Sequence, residues 1–133
     1  MDGSDVPVIV LDTSVLIDSL TGSKRSEPVL REVIENGERL VIPSLVLYEW
    51  LRGPRLEVEL ANQEALFPEE TALPFGPVEA AVAAELYKAV PQARGREIDL
   101  GVAACAIIRA AQLWTLNARD FRDIPGLRLA FNF

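Results

Sequence analysis

No histidine occurs among the 133 residues, and cysteine occurs once, at Cys105. The first absence removes histidine-based triads and histidine-ligated zinc, so catalysis would have to run on carboxylates or hydroxyls. The second excludes an internal disulfide and suits a reducing, cytoplasmic setting. No apolar run approaches the ~18 residues that a membrane span needs. Residues 1–6 carry two acids and no basic cluster, so no secretory signal is expected. Basic residues are also scarce: 13 Lys and Arg stand against 20 Asp and Glu, a formal charge of −7. Taken alone, that balance opposes nucleic acid as a partner, because phosphate binding rests on a basic face. The objection weakens if several acids share one site and bound cations neutralise them.

What is present is apolar. Half of the chain is hydrophobic, enough for a sizeable core, and the length fits one domain over residues 1–133. There is no repeat, low-complexity tract or linker. Val8-Ile9-Val10-Leu11 is a short, β-branched run that suits a buried parallel strand. Further strands are expected at 40–42, 72–73, 113–116 and 127–130. Helices are expected at 13–20, 28–35, 45–52, 55–66, 78–90 and 97–111, the last apolar on nearly every side. Strands that alternate with helices imply an α/β fold: a three-layer α/β/α arrangement around a central parallel sheet. In such folds the chemistry lies at the carboxyl ends of the strands, here just after Leu11, Ile42, Leu73 and Leu116.

Most acids, such as Glu57, Glu59, Glu69 and Glu70, have polar neighbours and read as surface. Three differ. Asp12 follows four apolar residues at a strand end, Glu49 is the one charge between Leu45 and Leu51, and Asp99 the one charge between Ile98 and Ile108. An ionised carboxylate in such surroundings needs a cation, a basic partner or an open cleft. If the three converge, each pair repels by about 4 kcal/mol at ~4 Å and an effective dielectric near 20. A metal ion relieves that, and oxygen-only ligands favour Mg²⁺ or Mn²⁺. Each acid also has a plainer role open to it. Asp12 could cap the following helix, Asp99 could answer the helix dipole, and Glu49 could pair with an arginine.

The residues resemble a known family. Leu11-Asp12-Thr13-Ser14-Val15-Leu16-Ile17-Asp18 resembles the opening motif of PIN domains. Ile42-Pro43-Ser44 through Tyr48-Glu49-Trp50-Leu51-Arg52-Gly53 resembles the second motif, and Asp99-Leu100-Gly101-Val102-Ala103-Ala104 the third. Thr115-Leu116-Asn117-Ala118-Arg119-Asp120-Phe121 resembles the fourth, and Ile124-Pro125-Gly126-Leu127 the usual ending. Four motifs and an ending in order, over nearly the whole chain, are similar in particular to the VapC toxins of toxin–antitoxin pairs.

The resemblance implies a Mg²⁺- or Mn²⁺-dependent endoribonuclease with Asp12, Glu49 and Asp99 as acidic ligands. Asn117 stands where many members carry an acid, so Asn117 or Asp120 would complete the site. The resemblance also implies an RNA substrate, a cognate antitoxin and a homodimer, with the apolar residues of 46–60 as candidate surface. Thr13, Ser14 and Thr115 could orient water or phosphate, or merely cap and pack. Asp18, six residues past Asp12, faces elsewhere on a regular helix. Arg94, Arg96, Arg119 and Arg122 flank the last two motifs and could meet phosphates. Two rivals are weighed. An aspartyl-nucleophile phosphatase wants a second Asp two residues after the first, where this chain has Ser14. A PIN-like fold kept as a binding module is separated from the enzyme only by metal-dependent cleavage.

Overall fold

The computed structural model describes residues 8–131. The apolar run at the start forms β1, Val8–Leu11, and its neighbours are β2, Arg39–Val41, and β3, Gln112–Trp114. A fourth strand, β4, Arg128–Leu129, pairs with β3. All pairings are parallel and the sheet order is β2-β1-β3-β4. Six helices complete the three-layer α/β/α fold: α1 Thr13–Leu20, α2 Glu27–Glu35, α3 Ser44–Arg52, α4 Glu57–Leu66, α5 Pro77–Ala89 and α6 Glu97–Ile108. None is long and apolar enough to cross a membrane.

The core explains the composition. Val10, Leu11, Val15, Leu16, Val46, Trp50 and Leu113 are fully buried. Every residue of α6 from Leu100 to Ala106 is buried as well. Small residues let that helix sit close to its neighbours: a Cβ on Gly101 would lie 2.5 Å from Leu45 Cδ1.

Three expectations need correction. Residues 72–73 make no strand; Leu73 forms only a single parallel bridge with Pro43. Its amide donates to Ile42 O at 2.9 Å and its carbonyl accepts from Ser44 at 2.7 Å. The ladder goes no further because Ser44 already opens α3 and a 3₁₀ turn, Glu69–Thr71, ends just before Ala72. Helix α4 starts at Glu57, not 55, because Arg55 is drawn back onto Trp50: its Nε donates to Trp50 O at 3.0 Å. Helix α6 stops at Ile108 rather than 111, because Ala110 takes a left-handed φ of 52°. That role usually falls to glycine or asparagine, so an alanine gives no signal.

Candidate active site

The carboxyl end of β1 lies between β2 and β3, and Asp12 is the first residue beyond it. The Asp12 amide donates to Trp114 O at 2.9 Å, which extends the β1–β3 register by one residue. Its side chain is buried and makes no capping bond to α1, so the helix-cap role is not the one it plays. Instead, Oδ2 accepts from Ser14 Oγ at 2.9 Å and from Thr115 Oγ1 at 2.8 Å. Each hydroxyl is aimed by an amide on its far side. Leu116 N donates to Ser14 Oγ, and Asn117 N donates to Thr115 Oγ1, both at 3.0 Å. With an amide donating to one of its two lone pairs, each hydroxyl has its one proton to give to Asp12. Ser14 and Thr115 therefore both hold the Asp12 carboxylate.

Helix α3 brings Glu49 to the same end of the sheet. Thr13 Oγ1 donates to Glu49 Oε1 at 2.6 Å. Arg52 reaches Oε2 at 3.4 Å from the next turn, the arginine pairing that its sequence context left open. With the Arg52 side chain 54% exposed, that pair is weak.

Asp99 opens α6. Burial pushes its carboxyl up to about 6, and the charges of Asp12, Glu49 and Asp120 add to the rise, with Arg96 opposing. Its place in the first helical turn thus falls short of compensating for burial and like charge. Asn117 and Asp120 are exposed, at the two ends of the short 3₁₀ turn Ala118–Asp120 and its cap. With Leu116, Arg119 and Arg122 they line an open cleft of about 440 Å³. Asp99 feels the charges of the other three acids, but among the described residues no three are drawn together tightly enough to grip one ion. The donor chemistry nevertheless fits a hard divalent cation: carboxylate oxygens, a shared excess of negative charge and no histidine.

A family model, PIN domain, matches residues 9–127. The chain belongs to the PIN-domain family. It is similar to ribonuclease VapC19 of Mycobacterium tuberculosis, 34% identical over 121 residues that cover 90% of this chain and 96% of the relative. Its fold matches that of DNA-bound VapBC from Salmonella typhimurium at a TM-score of 0.74 and 25% identity, covering 93% and 97% of the two chains. VapBC2 from Rickettsia felis, bound to a promoter DNA fragment, matches at 0.70 and 20% identity, covering 92% and 97%. The PIN motifs quoted from the sequence fall at the ends of β1 and β3 and at α3 and α6.

Other residues of this PIN domain lie elsewhere. Asp18 binds Ser26 Oγ at 2.6 Å and Arg25, away from Asp12 as expected. Arg96 is not a free phosphate contact. Its guanidinium is held by Asp123, Pro91 O and Asp120 O. Of the apolar residues in 46–60, Val46 and Trp50 are core, whereas Tyr48, Leu51, Leu56 and Val58 are at least half exposed. The hydroxyl bonds to Asp12 and Glu49 escaped sequence reasoning. Their signal is that hydroxyl residues immediately flank strand-end positions.

Proposed function

We propose that this PIN domain is a divalent-metal-dependent endoribonuclease and the toxin of a toxin–antitoxin pair, acting in the cytoplasm. The observation that carries the reading is the crowding at Asp99, whose carboxyl is raised to about 6 by burial and by three other acids. A fold tolerates such crowding readily when a cation is its intended occupant. The resemblance to a ribonuclease and to VapBC toxin–antitoxin complexes supports RNA as the substrate class and an antitoxin as the partner.

Asp12, Glu49 and Asp99 would hold the Mg²⁺ or Mn²⁺, with Asp120 or the amide oxygen of Asn117 beside them. A cation there supplies Lewis acidity toward a water and a phosphate. The rest is the work of the chain. Ser14, Thr115 and Thr13 fix two carboxylates in place before anything binds, so little reorganisation is left for the reaction. Arg119 and Arg122, on the rim of the cleft, would meet phosphates of the RNA backbone. That local basic rim answers the objection raised by an acidic chain.

An antitoxin would cover exposed apolar residues such as Tyr48, Leu51, Leu56 and Val58. A separate apolar groove of about 480 Å³ includes Leu45, Phe75, Ala84, Tyr87 and Leu100, and suits a second copy of the chain. The test is cleavage of mixed structured RNAs by protein free of any partner, with Mg²⁺, Mn²⁺ or chelator and an Asp12→Ala control. Cleavage that needs metal and vanishes in the control supports the enzyme. Folded protein that binds Mn²⁺ without cutting supports the binding module, for which the amide at Asn117 speaks.

A further inference from the structure

Arg96 precedes α6 and its side chain is only 20% exposed. Four hydrogen bonds occupy its two terminal nitrogens. Nη2 donates to Asp123 Oδ1 at 2.6 Å and to Asp120 O at 2.9 Å. Nη1 donates to Asp123 Oδ2 and to Pro91 O, both at 3.0 Å. One planar fork thus ties three stretches together: the loop before α6, the 3₁₀ turn that ends at Asp120, and the bend at Asp123. Asp99 lies three residues beyond Arg96 on α6, and Asp120 carries the carbonyl that Arg96 grips.

We propose that Arg96 is a positioning residue that sets Asp120 against Asp99, so that Asp120, rather than Asn117, serves as the fourth acid of the site. The proposal rests on the metal-dependent reading of that site. A bidentate guanidinium fixes both distance and angle, whereas a lysine would supply only a charge. Asp120 is otherwise exposed on a short turn, and a bond to its own carbonyl leaves its carboxylate free. Electrostatics agree: Asp99 and Asp120 both act on Arg96, and Asp120 acts on Asp99.

The sign of one measurement separates positioning from mere charge. Removing a cation beside a cation site should tighten Mn²⁺ binding if Arg96 acts only through its charge. It should weaken binding if Arg96 holds a ligand in place, by on the order of 10-fold, as for other groups that orient metal ligands. Mn²⁺ affinity is read by electron paramagnetic resonance on partner-free wild type, Arg96→Gln, Arg96→Lys, Asp120→Asn and the Arg96→Gln/Asp120→Asn double variant. Circular dichroism confirms that each is folded. The expected result is weaker binding in Arg96→Gln and Arg96→Lys, with no further loss when Arg96→Gln is added to Asp120→Asn. Unchanged or tighter binding in Arg96→Gln overturns the proposal, and so does a loss that adds fully to that of Asp120→Asn. Wild-type protein that binds no Mn²⁺ refutes the metal reading instead. Amide exchange over residues 117–123 then decides the clamp: faster exchange in Arg96→Gln supports it and unchanged exchange overturns it.

Discussion

Asp99→Asn should make the metal-free protein more stable at neutral pH while abolishing cleavage. In the native state the Asp99 carboxyl is raised from 3.8 to about 6, chiefly by burial and then by Asp12, Glu49 and Asp120. Between those two values the native state binds more protons than the unfolded chain. Stability therefore falls as pH rises from 3.8 through 6 and then levels off. At roughly 1.4 kcal/mol per pH unit, the accumulated cost at pH 7.5 is about 3 kcal/mol. Asparagine escapes it, but forfeits about 0.5–1 kcal/mol of favourable dipole interaction in the first turn of α6. The net gain is about 2 kcal/mol. Urea unfolding in chelator at pH 4 and pH 7.5 reads it as the difference between the two proteins at each pH. The advantage of Asp99→Asn should be near zero at pH 4 and near 2 kcal/mol at pH 7.5. Millimolar Mn²⁺ should reverse the ranking: ligand at 100 times its Kd adds about 2.7 kcal/mol to whichever protein binds it. A variant less stable than wild type in chelator at pH 7.5, or a difference that ignores pH, would refute the reasoning.

Thr115→Val removes one of the two hydroxyls on Asp12 and strands the Asn117 amide. It should lower stability by about 1–2 kcal/mol and cut the cleavage rate about 10-fold or more, read by urea unfolding and single-turnover kinetics. If Asp120 is the fourth acid, Asn117→Ala, whose side chain is exposed, should leave Mn²⁺ affinity within a few-fold of wild type; a loss as large as that of Asp120→Asn contradicts this. Arg119→Ala with Arg122→Ala, in an Asp99→Asn background, should weaken RNA binding and flatten its dependence on salt, by about one unit of slope for each phosphate no longer neutralised. An unchanged slope removes both from the substrate path.

The layers of the fold could be read from pattern because each rests on local chemistry. The β-branched run at Val8–Leu11 could hardly be anything but a buried strand, and the apolar girth of α6 put it in the core. The short elements were harder. At Leu73 a single bridge looks in sequence like a strand, since flanking prolines also stand where strands begin and end. Asp12, Glu49 and Asp99 stood out as charges in apolar stretches, which burial alone makes visible. Arg96 did not. Nothing local distinguishes an arginine that grips Asp123 from one that waves in solvent, because the partners lie 24 and 27 residues away. Distance likewise hid the Thr115 bond to Asp12, 103 residues apart, and a part-buried acid–base pair between Glu79 and Arg109.

The bonds that hold Asp12 have a consequence for the order in which the molecule is made. Asp12 leaves the ribosome well before Thr115, whose Oγ1 orients its carboxylate from 103 positions later. The strand that flanks it on that side, β3, is equally late. A nascent chain shorter than this can have β1, β2 and α3 in place and still lack a fixed Asp12. For a protein whose proposed activity destroys RNA, this delay means that a nascent chain lacking Thr115 carries no fixed Asp12, and that the site is set only when β3 docks beside β1.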